Sequence, residues 1–295
     1  MLGPTASGKS EIAMRLAEKY GAEIISVDSM QVYQGMDIGT AKPSVEERAR
    51  VRHHLVDVVE PEEDFTVADA QRIGRQVIEQ GSVPVLLVGG TGLAFRAIVD
   101  PLEFPARDPD HRRQLEAQPL ETIRARLLEV DPDAGAHLDL DNPRRVVRAV
   151  EVYDVTGLTP SARAATAKAR AVREYRPLLP FHAVGLDSGD ALEQRVAARL
   201  VAMFDDGLLE EVRVLAPRLG RAASQAVGYK ELLGVVDGRV SVADGRKAVE
   251  AATLAVAASQ RTFFRRDPRI HWLEWDPDPA VLTERVEREL MAWIS

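Results

Sequence analysis

The residues Gly3-Pro-Thr-Ala-Ser-Gly-Lys-Ser10 constrain this chain more than any other feature. They fit G-x-x-x-x-G-K-[ST], a spacing in which small residues let backbone N–H groups wrap an anion. The lysine adds a point charge and the final hydroxyl reaches a divalent cation. On this reading Gly3, Thr5, Ala6, Ser7, Gly8, Lys9 and Ser10 bind phosphate groups, with Ser10 as a Mg²⁺ ligand. The segment EIAMRLAEKY that follows carries Ile12, Ala13, Leu16 and Ala17 at helical spacing, so the loop opens a helix whose N-terminus faces the anion. Such a loop hangs from a buried strand, yet only Met1 and Leu2 precede Gly3. The expectation is either a start that has cut off the first strand or a core that manages with a stub.

A chain of 295 residues can bury one large core or two smaller ones. It has no cysteine, which excludes a disulfide framework and thiolate metal sites. No apolar run is long enough to span a bilayer and no charged-then-apolar leader opens the chain, so a soluble cytoplasmic protein is expected. The net charge of −8 means that any nucleic-acid role needs a local basic face. Two stretches qualify. Arg163, Lys168, Arg170, Arg173 and Arg176 stand against Glu174 alone between Ser161 and Arg176, and Arg144, Arg145 and Arg148 cluster in NPRRVVRAVEVY. The competing reading of both is a solvated helix face.

Ile24 to Val27 form a short apolar run closed by Asp28, the pattern of a buried strand delivering a carboxylate at its C-terminal end. Val83 to Val88 form a second, running into Gly89, Gly90 and Thr91. Between them FTVADAQRIGRQVIEQG has helical spacing, with Thr66 as cap and Gly81 as stop, and HLVDVV is a further strand candidate. This alternation predicts an α/β fold with a doubly wound, mostly parallel sheet, in which Asp28 and Thr91 converge with the phosphate loop beyond the strand ends. Composition changes after PLEFPARDPD, and 106–177 reads as wholly helical before LLPFHAVGLD and RIHWLEW resume as strands. The expected organisation is a core of 1–105 and 178–295 interrupted by a helical insert at 106–177.

A nucleotide hydrolase of the motor or GTPase type needs a carboxylate at the end of an apolar strand to hold Mg²⁺ and water, and VLLVGG ends in glycines instead. Asp28 is the well-placed carboxylate of the first half. It can serve as magnesium ligand, as general base, or as a cap on the next turn; Ser29 and Gln31 beside it suit a polar acceptor and favour the base. His53 and His54 are adjacent on a strand, point to opposite faces and lack a third ligand, so they read as structural.

Taken in order, GPTASGKS, SVDSMQVYQGMDIGTAKPS, HHLVDVVEPEEDFTVADA, VLLVGGTGL, DNPRRVVRAVEVYDVTG, QAVGYKEL and FFRRDPRI resemble the tRNA dimethylallyltransferases, also called tRNA isopentenyltransferases or IPP transferases. The resemblance spans nearly the whole chain. It implies a loop that grips the diphosphate of dimethylallyl diphosphate, with Mg²⁺ and Lys9 neutralising the leaving group, and with Thr5 and Ser10 bonding the diphosphate or its metal. It implies that Asp28 takes a proton from the exocyclic amine of an adenine beside the tRNA anticodon, flipped out of its stack. By position, Thr91 would sit over the reacting centre and Arg213 on the diphosphate side. The tRNA contacts would fall at Asp28, Ser29, Met30, Gln31, Thr91, Arg112, Arg144, Arg145, Arg148, Gln225, Gly228, Tyr229 and Lys230, the helical insert clasping the anticodon stem of a tRNA bound by a monomer. From the residues alone, Arg213 is equally a helix-surface arginine and Tyr229 equally a core ring.

Besides the short N-terminus, two departures stand out. Relatives usually have tyrosine at the place of Ala94, whose loss would loosen the substrate pocket. They also carry basic residues where Leu254, Ala255, Ala258 and Ser259 stand, which would weaken tRNA binding here. The rival activities are prenyl transfer to free AMP, ADP or ATP, which gives no reason for a helical insert, and tRNA binding without catalysis, against which Lys9, Asp28 and Thr91 argue. The loop's generic reading is a small-molecule kinase that turns over ATP.

Overall fold

The structure, a computed structural model, describes residues 1–294. In chain order the elements are α1 (Lys9–Tyr20), β1 (Glu23–Ser26), α2 (Val45–Arg50), β2 (His53–His54), α3 (Val67–Gln80), β3 (Val85–Val88) and α4 (Gly92–Val99). Then come α5 (Pro109–Glu116), α6 (Leu120–Val130), α7 (Pro143–Thr156), α8 (Pro160–Ala164) and α9 (Ala167–Arg173). They are followed by β4 (Ala183–Gly185), α10 (Leu192–Asp205), α11 (Leu208–Leu215), α12 (Tyr229–Val236), α13 (Val242–Arg265), β5 (Ile270–Trp272) and α14 (Pro279–Ile294). Two compact units result, one of Met1–Ile98 with Pro180–Ser295 and one of Val99–Leu179.

In the first unit β2-β1-β3 pair in parallel, as do β4 and β5. Leu2 joins the two sets. Its N–H donates to the Val184 carbonyl and its carbonyl accepts from the Leu186 N–H, both at 2.9 Å, while a parallel bridge links it to Gly89 on the other side. Leu2, bridged to Gly89 on one side and Gly185 on the other, therefore joins β3 and β4 in a parallel surface ordered β2-β1-β3-Leu2-β4-β5. Sheets covered on both faces are built from apolar runs. Ile24, Ile25, Val27, Val88, Val184 and Leu186 are accordingly buried. Helix α1 spreads its apolar residues over two patches, Ala13, Met14 and Ala17 against Ile24 and Val88, and Ile12 and Leu16 against Val184 and Leu186 with Leu282 and Val286 of α14.

Helix α3 starts and stops as its sequence predicts. Thr66 accepts from the Asp69 N–H in a capping box and Gly81 closes the helix. The strand expected in HLVDVV is shorter than its apolar pattern suggests and begins one residue earlier, at His53. Leu55 and Asp57 take positive φ values of 61° and 53°, a left-handed conformation that ends pairing.

The second unit is helical. Leu115, Ile123, Leu127, Val146, Val147 and Val150 form its core. Asp108 caps α5, and Asn142 caps α7 ahead of Pro143, with Gly157 left-handed at the far end. The Asp131 carboxylate accepts from the Ser161 N–H at 2.8 Å and hydroxyl at 2.6 Å, fastening the start of α8 to the end of α6.

Candidate functional site

The loop between Leu2 and α1 passes so close to the sheet that only glycine fits at position 3. Its φ is 141°, and a Cβ there would lie 2.0 Å from the Leu186 carbonyl oxygen. Gly8, left-handed at φ 91°, turns the chain into α1 and leaves the first N–H groups of the helix facing outward. Thr5 through Ser10 line a cavity of about 950 Å³. The Lys9 side chain folds back beneath the loop, where Nζ donates to the Pro4 carbonyl at 2.5 Å and to Ser7 Oγ at 3.1 Å. Burial, followed by the charge of Arg199, lowers the Lys9 ammonium to about 7, with Asp28 and Asp187 acting in the opposite direction.

Side chains from the far end of the sequence brace this loop. Arg195 donates to the Ala6 carbonyl at 2.6 Å and stacks over Trp275, whose indole N–H donates to the Ser7 carbonyl at 3.1 Å. Arg199 donates to Thr5 Oγ1 at 3.1 Å, and Gln260 Oε1 accepts from the Thr5 N–H at 2.8 Å. Arg195, Arg199 and Gln260 all line the cavity. The sequence reading missed the two arginines. Their signal was an i, i+4 pair in EQRVAAR, on the helix that follows β4, so that both project from one face. It also passed over Asp187, just beyond β4. Burial alone would raise that carboxyl, but bidentate bonds from Arg261 at 2.7 Å and the Gly189 N–H hold it below the usual range.

Asp28 emerges from the end of β1 into the same cavity. Its Oδ1 accepts from the Met30 N–H at 2.9 Å, so the residue caps the next turn and still presents a carboxylate to the cavity. Thr91 Oγ1 accepts from the Ser29 N–H at 3.2 Å, which places Thr91 beside that turn. Gln31 has its amide engaged. Oε1 accepts from Ser26 Oγ at 2.7 Å, and Nε2 donates to the carbonyls of Thr40 and Ala41, so its side chain pins the segment around residue 40.

Several predicted site residues lie elsewhere. Arg213 is exposed on α11, paired with Glu210, and does not line the loop's cavity; Arg195 and Arg199 are the arginines at the loop. Tyr229 is fully buried, with its hydroxyl donating to Glu211 and its ring against Gly39, and burial followed by the Glu211 charge pushes its phenol far up. It is a core ring and offers no stacking surface. Gly228 is buried as the left-handed N-cap of α12, while Gln225 and Lys230 beside it are exposed. Ala94 is buried on α4 and does not line the cavity.

In the helical unit the arginine cluster divides in two. Arg148 pairs with the fully buried Glu151 at 2.9 Å and donates to the carbonyls of Pro105 and Ala106, and Arg112 reaches the same carboxylate at 3.8 Å. These two hold the unit together, whereas Arg144 and Arg145 are exposed. Along α13, Ala255, Ala258 and Ser259 are exposed, so the missing basic residues would have faced outward.

His53 and His54 have structural partners, the Val51 carbonyl and the Glu23 carboxylate. For Mg²⁺, Ser10 is exposed at the start of α1 and lines the cavity with Asp28, so a hydroxyl and a carboxylate, both hard oxygen donors, are available to such an ion.

A parallel sheet with a glycine-rich loop at the N-terminus of its first helix, and a carboxylate beyond the next strand, defines a P-loop α/β protein with a helical unit of its own. Comparison with known proteins narrows this class. A family model described as IPP transferase matches residues 31–267. A tRNA dimethylallyltransferase of Bifidobacterium longum is 41% identical over 291 residues, covering 93% of this chain and 85% of the relative. One from Acidothermus cellulolyticus is 41% identical over 308 residues, covering 100% and 93%. Among solved structures, the full-length tRNA isopentenylpyrophosphate transferase of Bacillus halodurans superposes with a TM-score of 0.68 at 32% identity, covering 99% of this chain and 95% of that one. The chain belongs to the IPP transferase family.

Proposed function

We propose that this protein transfers a dimethylallyl group from dimethylallyl diphosphate to the exocyclic amine of an adenine next to the anticodon of tRNA, acting as a monomer in the cytoplasm. The observation that carries this reading is the convergence of Lys9, Arg199 and the amides of the loop with the Asp28 carboxylate in one cavity. One side of it suits a diphosphate leaving group and the other an acceptor that must lose a proton.

In this reading the amine nitrogen attacks the allylic carbon, a C–N bond forms, and the C–O bond to diphosphate breaks. The electron pair goes to the diphosphate oxygen, and the N–H groups that open α1, with Lys9 and Arg199, stabilise the charge that develops there. Asp28 accepts the proton of the amine, while the Met30 N–H fixes its orientation. Mg²⁺, held by Ser10, would add neutralising charge to the diphosphate. Arg144 and Arg145 supply phosphate contacts to the RNA, with Gln225 and Lys230 as further exposed polar contacts.

The test is transfer of labelled dimethylallyl diphosphate to unmodified tRNA and, separately, to AMP. Prenylated adenine in tRNA alone is expected, with Asp28→Asn lowering kcat by ~10²-fold or more while the variant still binds diphosphate. Transfer to AMP alone, or full activity in the variant, would refute the reading.

A further inference from the structure

A second cluster of chemistry-bearing side chains lies at the other end of the sheet. Strands β4 and β5 pair in parallel with Val184 opposite His271. His182 lies two residues before Val184, so by the period of a strand it projects on the same face as Val184 and His271. Helix α14 covers that face, burying Leu282 and Val286 against Val184 and Leu186. Glu289, three residues beyond Val286, comes round to the same side of the helix. It meets the two histidines there. Glu289 Oε1 lies 3.2 Å from His182 Nε2 and 3.1 Å from His271 Nδ1, and the two rings are 4.9 Å apart by centroid.

We propose that His182, His271 and Glu289 form a binding site for a divalent transition-metal ion, which fastens α14 to the β4–β5 edge of the sheet. One ligand atom from each residue lies within 4.8 Å of the others. In a tetrahedral zinc site, with bonds of about 2.1 Å, neighbouring ligand atoms stand roughly 3.4 Å apart. The two carboxylate-to-imidazole separations, 3.2 and 3.1 Å, are within a few tenths of an ångström of that spacing. The side chain of His271 is 58% exposed and has room to turn. Two imidazoles and one carboxylate suit zinc, cobalt or nickel in preference to magnesium, which requires an all-oxygen shell. Three protein ligands leave one position for water, and the exposed side of His271 provides the entry path.

The alternative is a carboxylate that merely receives ring N–H groups or pairs with protonated histidines. It predicts no metal affinity.

The experiment uses the untagged full chain stripped with chelator and dialysed against Zn²⁺ at pH 7.5, with bound metal measured directly and the Co²⁺ form read by its visible spectrum. One equivalent of zinc per chain is expected, with tetrahedral cobalt bands and a thermal midpoint that rises with free zinc. His271→Ala and Glu289→Gln, each checked for folding by circular dichroism, should each lose the bound equivalent and the zinc-dependent rise. The proposal is overturned if the folded wild-type chain binds no zinc, or if both folded variants bind it as well as the wild type does.

Discussion

Replacing Lys9 with methionine should stabilise the protein in the absence of substrate while removing its capacity to bind diphosphate. The Lys9 ammonium is buried beneath the loop and lowered from its ordinary 10.5 to about 7. At about 1.4 kcal/mol per pH unit, that corresponds to a penalty of about 5 kcal/mol for keeping the side chain charged in the folded state. The hydrogen bonds to Pro4 and Ser7 offset it by about 1 kcal/mol each, leaving a net gain of about 3 kcal/mol for methionine. The dependence on pH has a definite sign. Below pH 7 the lysine is protonated in both folded and unfolded chains and the penalty is complete. Between 7 and 10.5 the folded form has released its proton and the unfolded form still holds it, so the wild type recovers stability as pH rises. Thermal melts should therefore show Lys9→Met above wild type by at least ~5 °C at pH 6, with the gap closing toward pH 10. The same logic predicts that binding inorganic diphosphate at pH 8 returns a proton to Lys9, an uptake that adds to any proton change of the ligand itself and is absent from Lys9→Arg. Calorimetry in buffers of different ionisation enthalpy reads that uptake, with Lys9→Arg as the permanently charged control. A variant no more stable than wild type at pH 6, or a gap that widens with pH, would refute the reasoning.

Gly3→Ala should yield little folded protein in a solubility and melting assay, because its Cβ meets the Leu186 carbonyl at 2.0 Å in a backbone conformation that only glycine favours. Glu211 accepts from the N–H groups of Asp37, Ile38 and Gly39 at 2.9, 2.8 and 3.0 Å and from the Tyr229 hydroxyl. Glu211→Ala should cost about 3 kcal/mol in denaturant unfolding and speed amide exchange at those three residues. Arg148→Ala should destabilise the helical unit by about 3 kcal/mol by leaving Glu151 buried without its close partner, an effect that Glu151→Gln should partly relieve in the double variant. Arg145→Ala should leave the melt unchanged and lower the slope of log affinity for tRNA against log salt by about one.

The α/β class could be read from the sequence because its signals are local. The runs that become β1 and β3 and the capping box of α3 lie within a few residues of one another, and the loop motif needs only its own small residues. Asp28 was legible for the same reason, since a carboxylate at the end of an apolar run has few places to point. The reading failed where a side chain's partner lies far along the chain. Arg213 and Arg199 are both arginines on amphipathic helices, and no local pattern tells which helix faces the loop. Tyr229 and Lys230 are neighbours in sequence, yet one is sealed in the core and the other faces solvent.

By itself the sequence determined the elements, the phosphate-type loop and its family, because backbone propensity, capping and glycine requirements act over a turn or a strand. Tertiary structure alone decided that Leu2 bridges the two sets of strands. Leu2 finds its partners in Gly89 and in Val184 and Leu186, residues more than eighty positions away. It also decided that Arg148 holds the buried Glu151 while Arg144 and Arg145 stay exposed, and that two histidines and a glutamate from three distant segments share one corner of the sheet. Such outcomes depend on which surfaces lose water against each other and which charges must then find partners, and both are properties of the packed chain.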